Sequence, residues 1–114
     1  MEMKWEWTGE PAILEDIKNC VGEGWNGIIE RLVADLEKLG WDGTVAQVKE
    51  KFGGLRFYIG GGTHEVWERI SEAEKESMNT CQNCGKPGKI DKWGKWWLLC
   101  LCPECGENRR NSKL

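Results

Sequence analysis

The chain has 114 residues, a formal net charge of −3 and eight tryptophans. That length suits one compact domain, or one small domain with an appendage. No apolar run approaches the roughly 18 residues that a membrane helix requires. The charge is uneven: residues 1–79 carry nine Lys and Arg against sixteen Asp and Glu, and residues 80–114 carry seven against three. The basic surplus of the second part is too small to announce nucleic-acid binding by electrostatics alone.

In chain order, Trp5 and Trp7 alternate with charged residues, as in an edge strand or an extended arm. Pro11 suits the first position of a helix, where its missing N–H is no loss. Ile13, Leu14, Ile17, Cys20 and Val21 then recur at helical spacing, which places Cys20 on an apolar face as a buried free thiol. Gly22 and Gly24 end this helix. A second helix is capped by Asn26, carries Ile28, Ile29, Leu32, Val33, Leu36 and Leu39 in one stripe, and stops at Gly40.

After Trp41 the period becomes alternating. Residues 45–51 and 55–59 read as two strands joined at Phe52-Gly53-Gly54. Leu55, Phe57 and Ile59 share one face, and Lys49, Lys51, Arg56 and Tyr58 are expected on the other. Cations beside an aromatic ring suit a phosphate or a nucleotide base; a solvated strand face with edge lysines is the plainer reading. Gly60-Gly61-Gly62 lacks the residues of a phosphate-binding loop and reads as a turn. Thr63 caps a third helix, residues 64–78, with Val66, Trp67, Ile70, Ala73 and Ser77 inward and Arg69 set to pair with Glu65. His64, the only histidine, falls in its first turn at the surface. Trp25, Trp41 and Trp67 are expected in the core.

The last third carries the most specific pattern. Cys81-x-x-Cys84-Gly85 is answered by Cys102-x-x-Cys105-Gly106, with seventeen residues, 85–101, between the pairs. This is the spacing of a four-cysteine zinc site. Each pair can converge on one ion through a tight knuckle that the glycine permits. Residues 89–93, a Gly94-Lys95 turn and residues 96–101 form a hairpin between them, giving a zinc ribbon. Trp93, Trp96 and Trp97 straddle that turn, and any left exposed would form a binding surface. Cys100 lacks knuckle spacing but is close enough to compete with Cys102 as a ligand. Residues 108–114 read as a frayed basic tail.

A disulfide framework is the other use of six cysteines. Five of them crowd into metal-ligand spacing, and Met1–Trp7 has no apolar signal core, so reduced thiols and a cytoplasmic location are expected. The sequence thus predicts an α+β protein: amphipathic helices on a β-hairpin in residues 1–79, and a zinc ribbon with a basic tail in residues 80–114, as one unit. One zinc held by Cys81, Cys84, Cys102 and Cys105 leaves no open coordination position, so its role is structural. No nucleophile or acid–base pair can be assembled, and an enzyme is not expected.

Three stretches resemble a known group. They are residues 20–25 (CVGEGW), residues 45–58 (VAQVKEKFGGLRFY), and residues 73–81 leading into the cysteine-rich end. Together they are similar to small cysteine-rich proteins, often encoded by phages or prophages, that have no established activity. The resemblance implies a setting in the bacterial host cytoplasm and a host component as partner. The expected function is therefore a non-catalytic binding protein, acting as inhibitor or adaptor against a host protein, with counter-defence as one such role. The alternative is a zinc-ribbon protein that binds nucleic acid or a small nucleotide.

Overall fold

A computed structural model describes residues 2–93 and 98–111. The fold is α+β, as expected: a mixed four-stranded sheet with helices on one face, and a C-terminal hairpin that carries clustered cysteines. The Gly94-Lys95 turn, Trp96, Trp97 and residues 112–114 lie outside the described residues.

The N-terminal segment differs from the expectation. β1 (Met3–Trp5) is an inner strand, antiparallel to β2 (Pro11–Ala12) and parallel to β3 (Thr44–Lys51). Gly9, at φ +72°, turns β1 back onto β2, with its N–H on the Trp5 carbonyl at 2.8 Å. Pro11 therefore lies in an edge strand, where a missing donor is tolerated, and not at a helix start. The first helix shrinks to α1 (Leu14–Lys18), which buries Ile17. Ile13 is 61% exposed and Cys20 is also exposed, so Cys20 is not the core thiol its spacing suggested. The apolar periodicity ran across a strand–helix junction, and only the helical part of it obeyed a 3.6-residue repeat.

α2 (Asn26–Lys38) buries Ile28, Ile29, Leu32, Val33 and Leu36. Asn26 does not cap it: a 3-10 turn, Glu23–Trp25, leads straight in, and Asn26 is already helical. At the other end Gly40 adopts φ +84°, and the Trp41 and Gly40 N–H groups close on the Leu36 and Glu37 carbonyls. These are the paired bonds of a glycine-stopped helix.

β3 and β4 (Gly54–Ile59) pair with Lys49 opposite Arg56 and Gln47 opposite Tyr58. Val45, Val48, Leu55, Phe57 and Ile59 are buried, while Arg56 and Tyr58 take the outer face. α3 (His64–Ser77) is capped by Thr63, whose hydroxyl accepts from the Val66 N–H. It buries Val66, Ile70, Ala73 and Ser77, but Trp67 is 43% exposed and is not a core residue. Arg69 reaches across to Asp35 of α2 at 2.7 Å, where Glu65 was expected as its partner. α3 also seals the free edge of β4. The Leu55 N–H donates to Ser77 Oγ at 2.9 Å, and the Phe57 N–H to Glu74 Oε2 at 3.1 Å. An edge that would otherwise offer donors to another strand is thereby blunted.

β5 (Lys89–Asp91) and β6 (Leu99–Leu101) pair with Ile90 opposite Cys100. They are followed by α4 (Pro103–Arg110), which begins where a knuckle was expected and takes in residues 108–110 of the segment expected to fray. Pro103 at its start and a Cys102 cap explain why a polar segment becomes helical there.

Candidate metal centre

The two cysteine pairs are presented by different devices. Cys81 and Cys84 sit on a knuckle: the Gly85 N–H returns to the Cys81 carbonyl at 2.9 Å, and Gly85 takes φ +86°. Cys102 and Cys105 sit at the start of α4, where Cys102 Sγ accepts from the Cys105 N–H at 3.4 Å. The second pair is thus carried by the first turn of a helix, and not by a second glycine knuckle. A helix start also favours anionic sulfur, because its N–H groups and dipole face the ligands.

Gly106, expected to relax that second knuckle, does something else. It lies within α4, buried, and a Cβ there would come 2.3 Å from the Trp93 ring. Trp93 is itself buried, with the Arg110 guanidinium 4.7 Å from its ring centre. It packs the metal unit from within and is not an exposed contact residue. Trp96 and Trp97, the other two expected there, lie outside the described residues.

The Sγ atoms of Cys81, Cys84, Cys102 and Cys105 all lie within 4.8 Å of one another, and those of Cys84 and Cys102 are 3.6 Å apart. A tetrahedron with arms of about 2.3 Å has edges of about 3.8 Å. The four cysteines are therefore clustered suitably for one metal ion. Cys100 is not in the cluster: its thiol donates to the Met78 carbonyl at 3.2 Å and belongs to the main core. Burial pushes the Cys100 thiol up to about 11.

Cys81 and Cys105 shift in opposite directions. Burial opposes ionisation of Cys81, but backbone N–H groups of Cys102, Cys84 and Asn83 outweigh it and bring the thiol down to about 7. At Cys105 the Asn83 amide pulls downward through a 3.3 Å bond, yet desolvation and the neighbouring sulfurs raise it to about 12. Four sulfurs this close cannot all carry charge without a cation among them, and a dication supplies the compensation.

The body grips this unit through backbone. The Gly24 N–H donates to the Gln82 carbonyl at 3.0 Å, and Trp25 Nε1 to the Thr80 carbonyl at 2.8 Å. A Cβ on Gly24 would stand 2.0 Å from the Cys81 carbonyl oxygen, and one on Gly22 2.1 Å from that of Gln82. Only glycine lets these two backbones meet. Gln82 adds a pair of bonds to Cys100, through its own N–H at 2.9 Å and its side-chain oxygen at 3.0 Å.

The other expected residues assemble on the outer sheet face. Lys49 Nζ lies 5.6 Å from the centre of the Tyr58 ring, and Arg56 is the cross-strand neighbour of Lys49. Lys51 Nζ lies 5.5 Å from the centre of Phe52. Lys49, Lys51 and Arg56 have no carboxylate partner among the described residues.

Phe52 was overlooked as a mere turn residue. It has φ +54°, followed by Gly53 at +82°, and is 64% exposed. A two-residue turn with both φ positive favours Asn or Asp at its first place, and a bulky residue there is strained. A phenylalanine at such a turn was the available signal.

No protein-family model, curated protein or solved structure matches the chain. Of the resemblance drawn from the sequence, the C-terminal four-cysteine cluster is what the structure supports. No helix among the described residues is long and apolar enough to cross a membrane.

Proposed function

We propose that this is a non-catalytic binding protein, stabilised by one structural zinc, whose contact surface is the outer face and tip of the β3–β4 hairpin. Four thiolates fill the coordination sphere of a tetrahedral ion, so the metal would hold residues 80–111 in place and offer no position to a substrate. The observation that carries the reading is the exposed, strained Phe52 beside Lys51, continuous with Lys49, Arg56 and Tyr58. Backbone strain kept at an exposed aromatic residue points to a role in contact. Three unpaired cations among two aromatic rings select an anionic surface.

The resemblance to phage-encoded proteins supports a host protein in the bacterial cytoplasm as the partner, with this chain acting as inhibitor or adaptor, counter-defence being one such role. The cation–aromatic pairs also suit nucleic acid or a small nucleotide, whose base would stack on Tyr58 while Lys49 and Arg56 meet its phosphate.

Native mass spectrometry of protein purified gently from its host tests both readings. One zinc per chain is expected, with either a retained nucleotide or a protein recovered by pull-down. Arg56→Glu should abolish the retained partner at unchanged melting temperature. A partner that survives this charge reversal, together with Phe52→Asn, would sink the assignment of the face.

A further inference from the structure

Accessibility divides the four clustered cysteines. Cys81 and Cys102 are buried, Cys105 is half-buried and Cys84 is exposed. Cys105 is further covered by Asn83, whose Nδ2 donates to its Sγ at 3.3 Å. Cys84 is therefore the ligand that a small electrophile in solution meets first. Its Sγ lies 3.6 Å from that of Cys102, so an exposed sulfur and a sheltered one are adjacent. Cys20, the other exposed cysteine, is outside the cluster and donates its thiol to the Asp16 carbonyl at 3.3 Å.

We propose that Cys84 is a site of oxidation by peroxide and that Cys102 resolves it, so that this chain holds its metal only under reducing conditions. The inference rests on the reading of the cluster as a zinc site. A metal-bound cysteine is a thiolate, and the thiolate is the nucleophile. Cys84 Sγ attacks one oxygen of hydrogen peroxide; the O–O bond breaks, hydroxide leaves and a sulfenic acid remains. The Cys102 thiolate then attacks the Cys84 sulfur, forming the S–S bond as the S–O bond breaks and a second hydroxide leaves. The two thiolates lose two electrons in all, and the peroxide gains them. From 3.6 Å the sulfurs need approach by only about 1.5 Å to reach bonding distance. The product leaves Cys81 and Cys105 alone, and two thiolates do not make a closed tetrahedral site, so the ion is released. The effect reaches the hairpin face, because the β3–β4 tip rests on the same unit. A Cβ on Gly53, next to Phe52, would stand 3.1 Å from the Ile90 side chain and 3.3 Å from the Leu99 backbone. Oxidation at Cys84 thus loosens the support of the tip.

The test exposes the full, zinc-loaded chain to hydrogen peroxide, with a chromophoric zinc chelator reporting release and peptide mass spectrometry locating the bridge. One zinc per chain should be released as a Cys84–Cys102 disulfide accumulates, and dithiothreitol with added zinc should restore the loaded state. Cys20→Ser should release zinc at an unchanged rate. Because Cys84→Ser weakens metal binding in its own right, a second measurement leaves the ligands intact. Limiting iodoacetamide on the zinc-loaded chain should alkylate Cys84 at least about tenfold faster than Cys102, as access and thiolate character dictate. Three results would overturn the inference and leave the zinc reading standing: zinc and thiols that survive the peroxide, alkylation spread evenly over the four ligands, or a bridge confined to Cys81–Cys84 or Cys102–Cys105. A chain that takes up no zinc at the outset would overturn the zinc reading, and the inference with it.

Discussion

The body and the metal unit bury their residues by different means. Among the described residues, eighteen buried side chains from β1 to α3, together with Cys100, form one continuous core. The unit that follows has four, and two of these are Cys81 and Cys102 themselves. Apolar burial at about 25 cal/mol per Å² suffices to hold a body of that size, whereas about 30 residues with so small a cluster need a metal or another staple. The difference teaches where each region is vulnerable: the body to cavities and lost hydrogen bonds, the metal unit to anything that disturbs four sulfurs.

The largest effect should come from the ligands. Cys81→Ser or Cys105→Ser should abolish zinc binding by mass spectrometry and unfold residues 80–111, while amide exchange in β3, β4 and α2 stays slow. Cys20→Ser should bind zinc normally. Simultaneous loss of body and metal unit would erase the distinction between them. Because zinc must displace protons from thiols, including Cys105 at about 12, uptake should release protons and affinity should rise with pH.

Next comes the seam. Gly24→Ala puts a Cβ 2.0 Å from a backbone oxygen that cannot swing aside. A loss of about 2 kcal/mol or more in urea unfolding is expected, with weaker zinc retention. Gly106→Ala meets the Trp93 ring instead, which can shift. It should cost about 1–3 kcal/mol and leave amide exchange in the body unchanged.

Ser77→Ala tests the body alone. It strands the buried Leu55 N–H at a cost of about 1–3 kcal/mol, without loss of metal. The smallest effect belongs to Asp35, whose carboxyl is lowered chiefly by the hydrogen bond from Arg69. A depressed carboxyl adds stability above its unfolded value of 3.8 and loses it as pH falls through the folded value. Asp35→Asn should therefore remove part of the acid sensitivity below about pH 4, read from melting temperature against pH.

Legibility followed the length over which a pattern repeats. α2, α3 and the β3–β4 hairpin have enough turns or alternations to declare their faces, and Gly40 and Thr63 mark ends by their own chemistry. The segment from Trp5 to Trp25 has no such run. There a short strand, a five-residue helix and a 3-10 turn share what looks like one helical repeat, so Pro11, Cys20 and Asn26 were misplaced. Trp67 shows the limit of periodicity in α3: the stripe is narrower than the set of apolar residues near it.

The sequence by itself determined the α+β class, the main hairpin with its outward Lys49, Arg56 and Tyr58, and the cysteines that can share an ion. Each depends on spacing along a few residues of chain, where backbone geometry alone decides which side chains meet. Tertiary structure decided the rest. The parallel pairing of β1 with β3 joins residues some forty positions apart. The helix that carries Cys102 and Cys105 is shaped by a cap and by the Trp93 ring against Gly106. Gly22 and Gly24 have their meaning only where the backbone of residues 81–85 lies against them. Such contacts are chosen by shape and burial between distant segments, and no local pattern records them.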